Sequence, residues 1–159
     1  MTLLKKLKKN SGFVLLFAIT LSSIVLAVAL GVANIALKEL NFSTSAKDTN
    51  DAFFAADTGV ECAAENDKTA LSTGSAFGGS RTFACSNAHD LTGNFASGWD
   101  FIVSGIGSAN LSCARVHVQK TTNDIYIQTQ IVSKGYNIGT DSCDSTNSNR
   151  VERQLEVNY

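Results

Sequence analysis

Residues 13–37 constrain this chain more than any other stretch. They read FVLLFAITLSSIVLAVALGVANIAL, carry no charge, and are interrupted only by Thr20, Ser22, Ser23 and Asn34. As a helix rising 1.5 Å per residue, the run is about 37 Å long, enough to cross a bilayer core of about 30 Å with some tilt. It is apolar on every side, so it needs lipid or other helices around it. With 159 residues in all, a single small domain cannot easily enclose such a helix in its own core.

The flanks give the run a direction. Lys5, Lys6, Lys8 and Lys9 precede it and no acid does, the pattern of a cytoplasmic flank. Without residues 1–12 the basic count falls from 13 to 9 while the acidic count stays at 14, a formal charge of −5. An acidic remainder argues against binding a phosphate backbone as the main task. A removable secretory signal is the competing reading. Its apolar region is shorter, about 7–15 residues, and it ends at a small-residue site, which Ala27-Val28-Ala29 fits. Cleavage there would release a secreted binding domain.

Helical patterning continues past the apolar run. Phe53, Ala56, Val60 and Ala63 recur at spacings of three and four, with Leu37 and Leu40 upstream. One helix over residues 13–65 is predicted, with its membrane segment at 13–37, and it would be about 80 Å long. Residues 41–44 are its weak stretch, because short polar side chains compete for backbone hydrogen bonds. No proline forces a bend there.

Three segments resemble the type IV pilins, and in particular the PilX-type minor pilins. Lys-Lys-Asn-Ser-Gly12-Phe13 before the uncharged run is similar to a prepilin leader. The stretch Ala52-Phe53-Phe54-Ala55-Ala56-Asp57-Thr58-Gly59-Val60-Glu61 resembles the group's helix segment. Ser133-Lys134-Gly135-Tyr136 and the tail from Arg150 to Val157 resemble its closing strands. The middle, about residues 66–110, matches nothing in the group. The resemblance implies a leader over residues 1–12, cut by a prepilin peptidase between Gly12 and Phe13, with Phe13 as the methylated new N-terminus. It also implies partners: other pilin subunits, the peptidase and an inner-membrane assembly platform. The protein would be a single-pass membrane protein before assembly and part of a cell-surface filament afterwards.

One departure bears on its place in that filament. Most pilins carry glutamate at the fifth mature position, where it neutralises a neighbouring subunit's N-terminal amine; here the residue is Phe17. A buried, unpaired ammonium is costly. The loss is shared with PilX-type proteins and with the tip pseudopilin of type II secretion systems, which favours a minor or tip-associated subunit. In a major subunit, hydroxyls such as that of Thr20 would have to serve the amine instead.

Residues 66–159 form the predicted head. Residues 72–80 read as a flexible Ser- and Gly-rich connector. Ala114, Val116 and Val118 alternate with Arg115, His117 and Gln119; Ile125, Ile127, Thr129 and Ile131 alternate with Tyr126, Gln128 and Gln130. Thr121-Thr122-Asn123-Asp124 between them marks a hairpin. The last strand puts Val151, Leu155, Val157 and Tyr159 on one face, with Arg153 among them, reaching out along its stem. Phe77, Phe83, Phe95, Trp99 and Phe101 are assigned to packing between helix and sheet. The predicted fold is α+β, the outer half of the long helix lying on an antiparallel sheet of about four strands.

Chemistry is sparse. Cys62, Cys85, Cys113 and Cys143 all follow the apolar run, and an even count in an exported domain reads as two disulfides. Three pairings exist; chain proximity and topology favour Cys62–Cys85 with Cys113–Cys143. No C-x-x-C pair suggests zinc. His89, beside Asp90, and His117 belong to no base–nucleophile set, so neither catalysis nor a cofactor is expected. Residues 141–149 are dense in Asp, Ser and Asn but lack the calcium-loop pattern. They read as a turn-rich surface loop, and the pilin resemblance implies that this cysteine-bounded loop is an exposed surface suited to adhesion. Asn41-Phe42-Ser43 and Asn110-Leu111-Ser112 match the glycosylation sequon at a frequency chance explains. The expected function is a structural pilus subunit for adhesion, motility or DNA uptake, not an enzyme, with a secretion-system pseudopilin as the alternative.

Overall fold

The computed structural model describes residues 11–68, 75–78, 82–122 and 127–159. Helix α1 spans Ser11–Lys68, and five strands follow: β1 Ala88–Asn94, β2 Gly98–Ile106, β3 Ser112–Thr122, β4 Ile127–Tyr136 and β5 Glu152–Asn158. The chain divides into two compact units, Met1–Thr44 and Ser45–Tyr159.

In the first unit the described residues are helical. Residues 41–44, where polar side chains threatened to fray the helix, keep helical bonding. The Thr44 hydroxyl joins it by donating to the Asn41 carbonyl at 3.0 Å.

The second unit is an α+β head. All four strand pairings are antiparallel and the order follows the sequence, β1-β2-β3-β4-β5. The sheet has five strands, one more than expected. The additional strand, β1, reads AHDLTGN and lacks apolar alternation. What holds it is its ladder to β2, and a bulge between His89 and Thr92 carries Asp90 at positive φ. Residues 72–74, 79 and 80 of the expected connector and residues 123 and 124 of the expected hairpin turn lie outside the described residues.

Small residues set the helix-to-sheet distance. Ala52, Ala55, Ala56 and Ala63 are fully buried on the inward helical face. Opposite them, a Cβ on Gly135 would collide with the Ala52 carbonyl oxygen and the Ala56 nitrogen. A Cβ on Gly59 would press on Val116 at 2.7 Å, Ala114 at 3.1 Å and the Ser133 hydroxyl. Gly135 thus brings β4 against the helix backbone, and Gly59 lets the helix settle onto the side chains of Ala114, Val116 and Ser133. Helix residues 52, 59 and 67 meet β4 at 135, 133 and 129 in turn, so the helix runs antiparallel along β4.

Beside this seam lies the apolar core. Cys62, Ala63, Phe77, Trp99, Phe101, Val103, Val116, Val118 and Ile131 form one buried cluster, with Phe83 partly buried against it. Phe77 stands at 5.9 Å from both Phe83 and Trp99, and Phe83 at 4.8 Å from Phe101. Phe95 is half exposed and meets Trp99 edge-on. These offset geometries are the favoured ones for aromatic pairs.

Candidate functional site

The apolar segment exposes large side chains throughout. Phe13 is 78% exposed, and Leu16, Ile24, Leu30 and Leu37 are exposed around it. Among the described residues, one helix is long and apolar enough to cross a membrane. Two of its hydroxyls bond inside the helix: Thr20 donates to the Phe17 carbonyl at 2.9 Å and Ser23 to the Thr20 carbonyl at 2.8 Å. Hydroxyls so committed are compatible with hydrocarbon. Gly12 and Phe13 are in the helix, whereas the leader lysines lie outside the described residues. Asn41 is exposed on the helix, and Asn110 is exposed at positive φ between β2 and β3.

The structure holds Cys62–Cys85 and Cys113–Cys143 as disulfides. The first ties the helix to the end of the connector. Asn66 reinforces that tie, its amide donating to the Ala84 carbonyl and its oxygen accepting from the Ala84 nitrogen, both at 3.0 Å. The second pins residues 137–151 to the outer end of β3, where Cys113, Tyr136 and Cys143 form a small buried cluster. Arg150 caps it, its guanidinium 3.7 Å from the Tyr136 ring centroid and donating to the Cys143 carbonyl at 2.6 Å. Asn137 closes the loop by accepting from the Val151 nitrogen at 2.7 Å. Asp141 and Ser142 remain exposed at the tip.

A polar cluster lies where the helix ends over the sheet. Asp67 and Lys120 form an ion pair with both side chains 6% exposed. Ser75 donates to one Asp67 oxygen at 2.8 Å; Thr129 and Tyr159 donate to the other at 2.8 and 3.0 Å. Burial alone would raise the Asp67 carboxyl. The hydrogen bonds from Lys120, Ser75 and Thr129 outweigh it and hold the group below the ordinary carboxylate value. Tyr159 is pushed well above the ordinary phenol value, first by burial, then by the charge and hydrogen bond of Asp67. Sequence reasoning missed this cluster. Its signal was Lys120 on the apolar side of β3, two residues after Val118. The arrangement ties helix, connector, β3, β4 and the C-terminal residue together.

On the sheet's outer face, a groove of about 500 Å³ is lined by Asp100, Ile102, Arg115, His117, Val132 and Lys134, among others. Its charged side chains have partners within the chain. His117 Nδ1 lies 2.8 Å from Asp100, Arg115 pairs with Asp144, and Lys134 lies 3.7 Å from Glu152. Among the described residues the His117 ring hydrogen-bonds to Asp100 and to no hydroxyl. The geometry therefore does not make a nucleophile–His–Asp set. His89 Nδ1 contacts only its neighbour Asp90, at 3.0 Å. Arg153 reaches back to the helix, donating to the Thr49 hydroxyl at 3.3 Å. Among the described residues, no group of three His, Cys, Asp or Glu side chains is placed to hold a metal, and no cysteine is free.

Comparison of the chain with known protein families, with curated proteins and with solved structures found no match.

Proposed function

We propose that the chain is a pilin-like subunit, minor or tip-associated, of a type IV pilus. In this reading a prepilin peptidase cuts after Gly12. The mature chain waits in the inner membrane through residues 13–37 and then passes to an assembly platform. It enters the filament by exchanging lipid for the apolar helices of other subunits, surroundings that are comparably apolar. The subunit acts as a structural element in adhesion, motility or DNA uptake rather than as a catalyst. The observation that carries the reading is the uncharged helix with exposed side chains at 13–37, preceded in sequence by a basic segment ending in glycine. Phe17 at the position of the usual glutamate favours a place where no neighbouring amine needs a carboxylate, at or near a tip. The same residue keeps a secretion-system pseudopilin as the second reading.

Intact mass and N-terminal sequencing of the protein from its native envelope test the proposal. A chain starting at Phe13, with or without a methyl group, is expected. A start near Leu30 would overturn it and leave a secreted, disulfide-bonded binding domain.

A further inference from the structure

The sheet has two edges, and the chain treats them differently. β1 breaks its ladder with a bulge between His89 and Thr92, where Asp90 has positive φ, and Gly93 follows with a φ of 138°. Such a bulge turns an edge away from further pairing. β5 carries no such device. It keeps register with β4 through all seven residues and holds no proline, glycine or lysine. Its hydrogen bonds decide which groups are free. Thr129 and Tyr159 exchange both backbone bonds, at 2.7 and 3.0 Å, and the Asn137 nitrogen donates to the Val151 carbonyl at 3.3 Å. Pairs that exchange bonds recur at every second residue of an antiparallel ladder, so the odd-numbered residues face β4. Glu152, Gln154, Glu156 and Asn158 therefore aim their N–H and C=O groups away from the sheet. The Glu152 carbonyl accepts from the Arg153 guanidinium. The backbone groups of Gln154, Glu156 and Asn158 have no partner among the described residues, and all three residues are exposed.

An apolar flank runs beside this edge. On the helix side of the sheet β5 carries Leu155, half-buried, and Val157, 36% exposed. Arg153 reaches Thr49 on the same side. Phe53, one turn beyond Thr49 and 43% exposed, continues that flank of the helix.

A second copy of the chain does not fit the edge. The head helix runs antiparallel to β4 and hence in the direction of β5. Antiparallel pairing of β5 with its own copy would send the two chains entering at Ser45 to opposite ends of the pair, although both must lead into one membrane. A two-fold axis along the strands would set each residue level with itself. Donors then meet donors, whereas a parallel ladder needs a shift of one residue. The β1 edge of a copy is interrupted by its bulge.

We propose that the β5 edge takes up an extended segment of another protein as a sixth strand, bonded main chain to main chain at Gln154, Glu156 and Asn158. Alternate side chains of that segment are apolar and lie next to Leu155 and Val157 on the side of Phe53. The exclusion of a second copy rests on the membrane-anchored reading, to which the proposal adds how a partner is held.

The test uses the full chain in its native envelope, with Gln154 replaced by the photo-crosslinker p-benzoylphenylalanine and adducts mapped by mass spectrometry. Glu156→Pro removes only an N–H that points away from β4, a proline position that edge strands tolerate. Glu156→Ala removes the side chain and keeps the N–H. The expected adduct joins a different polypeptide. Its yield falls about tenfold with Glu156→Pro, the upper scale of one backbone hydrogen bond, and by less than about twofold with Glu156→Ala. Amide hydrogen exchange over residues 152–159 needs no substitution and covers the case of a proline variant that misfolds. Exchange about tenfold slower in the envelope than in the purified chain is expected. Adducts only to a second copy, no adduct, equal losses with proline and alanine, or equal exchange in both settings would each overturn the inference. The N-terminus is read from the same sample. A chain that starts at Phe13 and gives no such adduct refutes the strand addition while leaving the pilus reading standing. A start near Leu30 overturns the pilus reading, and the contrast between proline and alanine still decides the edge.

Discussion

Replacing Lys120 by methionine keeps a stem of similar length and removes only the ammonium facing Asp67. Both side chains are almost fully enclosed, so the variant leaves a carboxylate in the interior without its cation. Breaking a buried pair from one side costs about 3–5 kcal/mol. Ser75, Thr129 and Tyr159 still donate to Asp67, which places the loss near the lower end, about 3 kcal/mol. For a head of this size that lowers the unfolding midpoint by on the order of 10–15 °C. The assay is thermal unfolding of the full chain in detergent with disulfides intact. The near-ultraviolet signal of Trp99, the one tryptophan and a core residue, reports it. The pH dependence separates charge from packing. In the parent chain the folded Asp67 pKa lies below 3.8, so its stabilisation is fully present above that value. It is lost as pH falls through the lower, folded value. Without Lys120, burial favours the neutral acid, so the deficit of the variant should shrink from pH 7 toward pH 3. Adding Asp67→Asn to Lys120→Met should recover part of the loss at pH 7, because no lone charge remains. A deficit under about 1 kcal/mol at pH 7 would mean a hydrated pair that contributes as exposed ones do. A deficit unchanged across the pH range would refute the electrostatic reasoning outright.

Two further outcomes follow from the same contacts. Gly135→Ala puts a methyl group against the helix backbone at Ala52 and Ala56, atoms that cannot swing aside; a loss of about 1–3 kcal/mol is expected in denaturant unfolding. A neutral result would mean that the helix rides higher on β4. Tyr159→Phe should cost about 0.5–1.5 kcal/mol at neutral pH. Because the folded Tyr159 pKa is raised, its stabilisation is complete below the unfolded value near 10 and is lost as pH rises beyond it. The variant should lack that alkaline loss, and a parallel decline in both chains above pH 10 would count against the Asp67–Tyr159 contact.

Much of the fold was legible because its signals are local. Period-two alternation at 114–119 and at 151–159 found β3 and β5, since a half-buried strand must alternate. The 3.6-residue pattern through Phe53, Ala56, Val60 and Ala63 found the helical face, although its smallest members, not Phe53, do the burying. β1 carried no such pattern and escaped. From the sequence, Trp99 and Phe101 are assigned to packing between helix and sheet but to no strand; their alternation with Val103 along β2 emerges in the structure. The Asp67 cluster drew no notice because its five members are far apart in sequence and only Lys120, on an apolar face, was out of place.

What the sequence by itself determined is the character of residues 13–37. An uncharged run of that length needs lipid or other helices, whatever the rest of the chain does. It also determined the α+β class, because periodicity is a one-dimensional record of which side of each element is dry. Tertiary structure alone decided which small residues touch. Gly59 and Gly135 are ordinary in the sequence, and only the crossing of helix and β4 shows that neither has room for a methyl group. It also decided which charges cancel. Lys120, Arg115 and Lys134 find acids 18 to 53 positions away, whereas Asp57 and Glu61 find no cation among the described residues, and Coulomb energy depends on distance in space rather than along the chain.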